Sequence, residues 1–226
     1  MCDHRLVLAW FHPPSLPALP ESLPLRNREN LFLLKHLAET GHQQLAYELV
    51  MQPTCPSYGF MVDSGATAMW ECFDAWHPKL GINPQPMNGL NHLGMNSFFE
   101  WIFGYVGGIR PDPVQPGYQH FLIAPCAEAG PEWVEASYES VRGPITVKWR
   151  RSPEQVQMEV VVPPNTSAEV RIPAEALADV TESGRPVEPG RGFQLLGVSK
   201  GRASFHVGSG SYIFAARVSQ AMGVRP

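Results

Sequence analysis

Charge is scarce in this chain. Only 17% of its 226 residues are charged, and 17 Lys and Arg against 21 Asp and Glu leave a formal net charge of −4. Without a basic surplus there is no electrostatic footprint for nucleic acid, and none is expected as a partner. Long apolar runs are missing too: none approaches the ~20 residues of a membrane span, so no membrane partner is expected. The run Leu6 to Phe11 is shorter than a signal-peptide core, and the compartment is left open. Cysteine is sparse. Cys2, Cys55, Cys72 and Cys126 form no C-x-x-C pair and are too few for a disulfide framework, so they are expected to be core thiols. His77, His120, Cys72 and Cys126 share no ligand spacing on one element, which argues against a metal. Gly104, Gly107 and Gly108 follow a helical pattern rather than a strand, the wrong context for a dinucleotide loop. Ser64 stands in Asp63-Ser64-Gly65, outside any G-x-S-x-G elbow. No cofactor is therefore expected.

What is present is a globular composition, 44% hydrophobic and 10% aromatic, in a chain long enough for one large or two modest domains. Residues 1 to 28 carry five prolines and little periodicity and read as an irregular lead. From Asn30 the period is helical: Leu31, Leu34, Leu37 and Ala38 stop at Thr40-Gly41, and Leu45, Ala46, Leu49 and Val50 follow as the second arm of a helical hairpin. Pro53 to Asp63 reads as a loop carrying Tyr58 and Phe60, Gly65 to Phe73 as a short helix, and Trp76 to Met87 as a second long loop. Asn88 to Gly107 gives the strongest helical pattern of all. Beyond Pro116-Gly117 the period switches to two. Strands are expected at His120–Ala124, Trp133–Ser140, Ile145–Arg150, Val156–Val162, Ala168–Ile172, Gly192–Leu196, Arg202–Val207 and Tyr212–Ala216, in an antiparallel sandwich. Asn165-Thr166-Ser167 is a formal glycosylation sequon in a turn, meaningful only in a secreted protein.

The stretch from Asp63 to Trp76 concentrates the candidate chemistry. Glu71 and Asp74 stand among Trp70, Phe73 and Trp76, and a buried carboxylate stays ionised only when paired or hydrogen-bonded. Two readings stay open. Glu71 could polarise a water beside a sugar ring lying on Trp70 or Trp76, with Asp74 binding or tuning. Equally, both acids could lie on the solvated side of a helix start while Trp70 and Phe73 fill the core. His92, placed on the long helix, could reach the same cavity or be a satisfied core histidine.

Blocks in fixed order sharpen the choice: Gly65-Ala66-Thr67-Ala68-Met69-Trp70-Glu71, Asn91-His92, Gly107-Gly108-Ile109-Arg110-Pro111-Asp112, Pro116-Gly117-Tyr118-Gln119-His120-Phe121 and Trp133-Val134-Glu135-Ala136-Ser137-Tyr138. Together they resemble the C-terminal portion of the α-L-rhamnosidases of glycoside hydrolase family 78, from about Leu37 onward. The resemblance implies an α+β multidomain chain: a lead over 1–28, the last helices of an incomplete (α/α)6 toroid over 29–113, and a C-terminal β-sandwich over 114–226. It implies Glu71 as general base of an inverting hydrolysis of terminal α-L-rhamnosides, His92 as a rhamnose contact, and Trp70, Trp76, Tyr58 and Asp74 as further binding residues. The partner implied is a rhamnose-containing glycoside or oligosaccharide. The family's acidic block, which supplies the general acid early in the toroid, has no counterpart here. The chain therefore reads as the final third of such an enzyme, inactive alone, with helix faces exposed for self-association. The alternatives are a non-catalytic carbohydrate-binding or structural module, and a toroidal enzyme for another sugar.

Overall fold

The computed structural model describes residues 5–8, 30–84, 88–92, 97–188 and 192–217. The chain divides into two compact units, His12–Trp101 and Met1–Phe11 with Ile102–Pro226. Along the sequence the first strand is β1 (Arg5–Leu8), followed by the helices α1 (Asn30–Glu39), α2 (Gln43–Met51) and α3 (Tyr58–Asp63). The small strands β2 (Trp76–His77) and β3 (Gly81–Ile82) and the helix α4 (Ser97–Trp101) complete the helical unit.

Within that unit α1 and α2 form the expected hairpin. Gly41 takes φ +83°, a left-handed conformation that glycine adopts without a Cβ penalty, and the His42 N–H reaches back to the Leu37 carbonyl at 2.7 Å. The periodic residues Leu34, Leu37, Ala46 and Val50 are buried. The loop expected over 53–63 instead holds α3: Ser57 caps it by accepting the Phe60 N–H at 2.9 Å, a cap the aromatic spacing does not advertise. No helix forms from Gly65 to Phe73. Gly65, at φ +87°, closes α3, and the Ala66 N–H bonds the Met61 carbonyl at 2.9 Å. The loop expected over 76–87 contains the β2–β3 hairpin. Residues 88–92 are not helical, 93–96 lie outside the described residues, and helix resumes only at α4, followed by a π-turn over Ile102–Val106. Phe32 on α1 is 72% exposed and Phe99 on α4 46%.

The other unit is a β-sandwich. Its strands after β1 are β4 (Ile109–Pro111), β5 (His120–Ile123), β6 (Trp133–Ser140), β7 (Gly143–Arg151), β8 (Gln155–Val162) and β9 (Ser167–Pro173). The remainder are β10 (Val180–Glu182), β11 (Arg185–Pro186), β12 (Phe193–Ser199), β13 (Arg202–Val207) and β14 (Gly210–Arg217). One sheet runs β1-β6-β7-β8-β14-β10-β11 and the other β12-β13-β9-β5-β4. Pairing is antiparallel except between β5 and β9, which run parallel. All eight expected strands form. Strict alternation sends Ile145, Val147 and Trp149 of β7, and Val156, Met158, Val160 and Val162 of β8, into the core. They meet Val170, Ile172 and Phe205 from the second sheet, with the Phe205 and Phe214 rings stacked at 5.2 Å. Ser183-Gly184 and Lys200-Gly201 supply paired positive-φ residues for the two-residue hairpins β10–β11 and β12–β13.

Two further features differ from the sequence expectation. Arg5–Leu8, inside the lead read as irregular, pair with β6 as an edge strand. The units also meet in sequence at Trp101/Ile102, earlier than the division expected after 113. The reason is local: the Val106 carbonyl accepts the buried Trp149 indole N–H at 2.8 Å, tying the π-turn to β7. Gly108 explains its block. At φ +83° it lies so close to Pro125 that a Cβ would sit 2.4 Å from the Pro125 nitrogen. Of the cysteines expected in the core, Cys126 is buried, Cys72 intermediate and Cys55 exposed, while Cys2 lies outside the described residues. Burial pushes the Cys126 thiol up to about 11. Among the described residues no helix is long and apolar enough to cross a membrane.

Candidate active site

Glu71 and His92 are brought together by backbone pairing between two irregular segments of the helical unit. The Glu71 N–H donates to the Gly89 carbonyl at 2.8 Å and the His92 N–H to the Met69 carbonyl at 2.7 Å. These bonds replace those a helix would make along 65–73 and 88–92, which is why neither segment is helical. Local apolar spacing suggested helices in both, and the crossed pairing overrode it. His92 therefore sits in an irregular segment, not on the long helix expected for it.

The carboxylate of Glu71 is held by the same segment. Its Oε2 accepts the Gly89 N–H at 2.9 Å, while Oε1 lies 3.7 Å from His92 Nε2, within ion-pair range but beyond a hydrogen bond. A Cβ on residue 89 would lie 3.3 Å from Oε2, so glycine is what lets the amide approach. The Glu71 side chain is 19% exposed and that of His92 43%. This leaves the pair at a surface, with one carboxylate oxygen oriented by the backbone and the other toward the imidazole.

Asparagines brace this arrangement. Asn88 donates from Nδ2 to the Ala75 and Asn83 carbonyls at 3.0 and 2.7 Å, and the Asn83 N–H bonds the Ala75 carbonyl at 2.9 Å. Asn83 Nδ2 in turn donates to Asp74 Oδ2 at 2.9 Å. The chain thus runs Asp74, Asn83, Asn88, then Gly89 against Glu71. Sequence reasoning missed Asn83, Asn88 and Gly89. The Asn88-Gly89 pair is a turn signal that could have interrupted the expected helix.

The other expected site residues divide by burial. Trp70 is 4% exposed, edge-on to the half-buried Trp76 with ring centroids 6.4 Å apart. Tyr58 is 6% exposed and packs between Phe98, stacked at 4.5 Å, and Phe73, edge-on at 5.1 Å. It belongs to an aromatic core, because Ser57 caps α3 there and turns the ring inward, and this corrects its reading as a loop aromatic lining a cavity. Phe73 is likewise buried, while Asp74 is exposed. Two buried atoms beside the pair, His92 Nδ1 and Asn88 Oδ1, have no hydrogen-bond partner among the described residues. Among the described residues no group of three or more His, Cys, Asp and Glu could hold a metal ion.

Comparison with known proteins also divides the chain in two, between residues 106 and 108. Residues 30–106 match the model of the bacterial alpha-L-rhamnosidase 6 hairpin glycosidase domain, and residues 108–186 that of the bacterial alpha-L-rhamnosidase C-terminal domain. An alpha-L-rhamnosidase of Streptomyces avermitilis is 35% identical over 182 residues, 80% of this chain and 17% of the relative. One from Formosa agariphila is 32% identical over 183 residues, 81% of this chain and 20% of the relative. The crystal structure of the Streptomyces avermitilis enzyme complexed with L-rhamnose superposes with a TM-score of 0.73 at 34% identity, covering 83% of this chain and 17% of that one. The Dictyoglumus thermophilum alpha-L-rhamnosidase gives 0.70 at 26% identity, covering 83% and 20%. This chain thus spans 17 to 20% of the length of these relatives. With both domain models matched in order, the chain belongs to the bacterial α-L-rhamnosidase family and matches the C-terminal portion of its members.

Proposed function

We propose that residues 65–92 carry the water-activating side of an inverting α-L-rhamnosidase site, acting on terminal α-L-rhamnose of a glycoside. Glu71 is the general base, His92 contacts the sugar, and Trp76 and Asp74 border the ring; Trp70 supports Trp76 from the core. The observation that carries this reading is the fixed Glu71–His92 pair, one carboxylate oxygen held by the Gly89 amide. A carboxylate oriented in this way beside an imidazole can polarise a water and take its proton. The bound L-rhamnose of the Streptomyces avermitilis structure supports the sugar assignment.

Inverting hydrolysis uses two carboxyl groups about 6.5–9.5 Å apart, one protonating the leaving oxygen and one activating water. In this reading Asp74 is not the acid: its carboxylate is exposed and engaged by Asn83. The proton donor comes from outside these 226 residues, so the isolated chain releases no appreciable nitrophenol from 4-nitrophenyl α-L-rhamnoside. The exposed Phe32 and Phe99 support self-association of the isolated chain. A sharp monomer peak at high concentration in size-exclusion chromatography would contradict that.

Grafting residues 30–217 in place of the matching segment of the Streptomyces avermitilis relative tests the assignment. The graft should hydrolyse the nitrophenyl rhamnoside, and Glu71→Gln should lower kcat by about 10²–10⁴-fold, the usual worth of general base catalysis. His92→Ala should act mainly on KM. Full kcat in the Glu71→Gln graft would refute the role of Glu71.

A further inference from the structure

The outer face of the β-sandwich carries a groove that the rhamnosidase site does not use. It has a volume of about 370 Å3, at the lower end of the ~300–1,000 Å3 usual for small-molecule sites. Two rungs of side chains cross β6, β7 and β8 there. In the first, Trp133 stands beside Arg150, which stands beside Gln157; in the second, Glu135 stands beside Lys148, which stands beside Glu159. The residues between them, Val134, Trp149 and Met158, point into the core, so the alternation of the strands fixes this set on the outer face.

The chemistry of the face narrows what it can hold. Lys148 and Arg150 balance Glu135 and Glu159, which leaves no net charge to select an anion or a cation. Lys148 Nζ lies 3.2 Å from Glu135 Oε2, so the second rung is partly self-satisfied. The side chains of Arg150 and Gln157 are exposed and have no hydrogen-bond or ion-pair partner among the described residues. A half-buried indole at one end, and alternating donors and acceptors along the floor, suit a ligand with an apolar flank and many hydroxyls. Among the described residues, an apolar protein partner would find no cluster of large hydrophobic side chains there.

The backbone that leads into Trp133 is also held in place. Arg151 donates to the backbone carbonyls of Glu128 at 3.2 Å and Pro131 at 3.0 Å, and to that of Gly130, while its own N–H bonds the Glu132 carbonyl at 2.7 Å. One guanidinium thus fixes the loop that delivers Trp133, so little ordering remains for a ligand to impose.

We propose that this face is a second, non-catalytic binding site for a neutral oligosaccharide, with Trp133 stacking on a pyranose and Arg150 and Gln157 bonding its hydroxyls. The site is independent of Glu71 and of the rhamnosidase reading. Its test is a titration of the isotopically labelled 226-residue chain with rutinose, a neutral rhamnosyl-glucose disaccharide, following by NMR the Trp133 indole N–H and, in the Trp133 variants, the backbone amides of β7 and β8 that flank it. Saturable shifts of that resonance are expected at millimolar sugar. Trp133→Ala and Arg150→Ala should each weaken binding by about tenfold or more, one factor of ten being about 1.4 kcal/mol. Trp133→Phe, which keeps a flat ring, should bind nearly as the parent. Glu71→Gln, in the other unit, should leave the shifts unchanged and so separates the two sites. Arg150→Ala is an exposed truncation that leaves the core intact, so it decides the matter even where Trp133→Ala folds poorly. No saturable shift at Trp133, or binding indifferent to Arg150→Ala, would overturn the proposal.

Discussion

Two tryptophans, each 2% exposed, show how differently the two units are built. Trp149, in the sandwich, donates its indole N–H to the Val106 carbonyl at 2.8 Å. Trp101, in the helical unit, packs edge-on against Tyr47 at 5.0 Å, yet its indole nitrogen has no hydrogen-bond partner among the described residues. The contrast extends beyond one pair. Among the described residues, Gln43, Asn88 and His92 in the helical unit also bury polar atoms with no hydrogen-bond partner. Buried groups left unbonded cost about 1–3 kcal/mol each. Among the described residues the sandwich leaves no buried side-chain polar atom of this kind, whereas the helical unit leaves several, so the helical unit is expected to open first and to be where ligand contacts matter.

The largest expected effect would come from breaking the satisfied side. Trp149→Ala should destabilise the sandwich by about 3–5 kcal/mol, since it empties a packed core site and strands the Val106 carbonyl. Urea unfolding followed by near-UV circular dichroism measures this as a lower midpoint of the later transition. Trp101→Phe should cost less than about 1.5 kcal/mol, because much of the ring packing survives and no hydrogen bond is lost. A Trp101→Phe cost equal to that of Trp149→Ala would erase the distinction.

Asn88→Ala sharpens the comparison inside the helical unit. It removes the bonds to Ala75 and Asn83, about 0.5–1.5 kcal/mol each, and should lower the earlier transition. In the graft it should also reduce kcat without abolishing it, because Glu71 keeps its side chain but loses the brace behind Gly89. A loss as deep as that of Glu71→Gln would mean that Asn88 itself meets the substrate. The smallest effect belongs to Lys35→Ala. Its ion pair with Glu100, 3.0 Å long, is 39 and 55% exposed, so solvent screening should hold its contribution below about 1 kcal/mol.

The same contrast governs what could be read from the sequence. Sandwich strands are written locally: in β8 every second residue from Val156 to Val162 is buried, and the period alone finds the strand. Short β4, β10 and β11 escaped because two or three residues carry no period, and β1 because the prolines after it dominate the segment. In the helical unit α1 and α2 were legible for the same reason as β8. The segments around Glu71 and His92 were not, because their conformation is set by bonds between residues about twenty apart, and helical spacing of Met69, Trp70 and Phe73 says nothing of that. The identities of Glu71 and His92 came instead from the order of the motif blocks. Their proximity comes from the pairing of 69–71 with 89–92.

The account rests on the carboxylate of Glu71 activating water rather than attacking carbon. The most direct measurement is the proton NMR spectrum of the first sugar released by the graft, recorded before mutarotation. Appearance of the β-anomer of L-rhamnose first, with its rate lost in Glu71→Gln, is the predicted result. First appearance of the α-anomer, or inversion that persists undiminished without the carboxylate at 71, would contradict it.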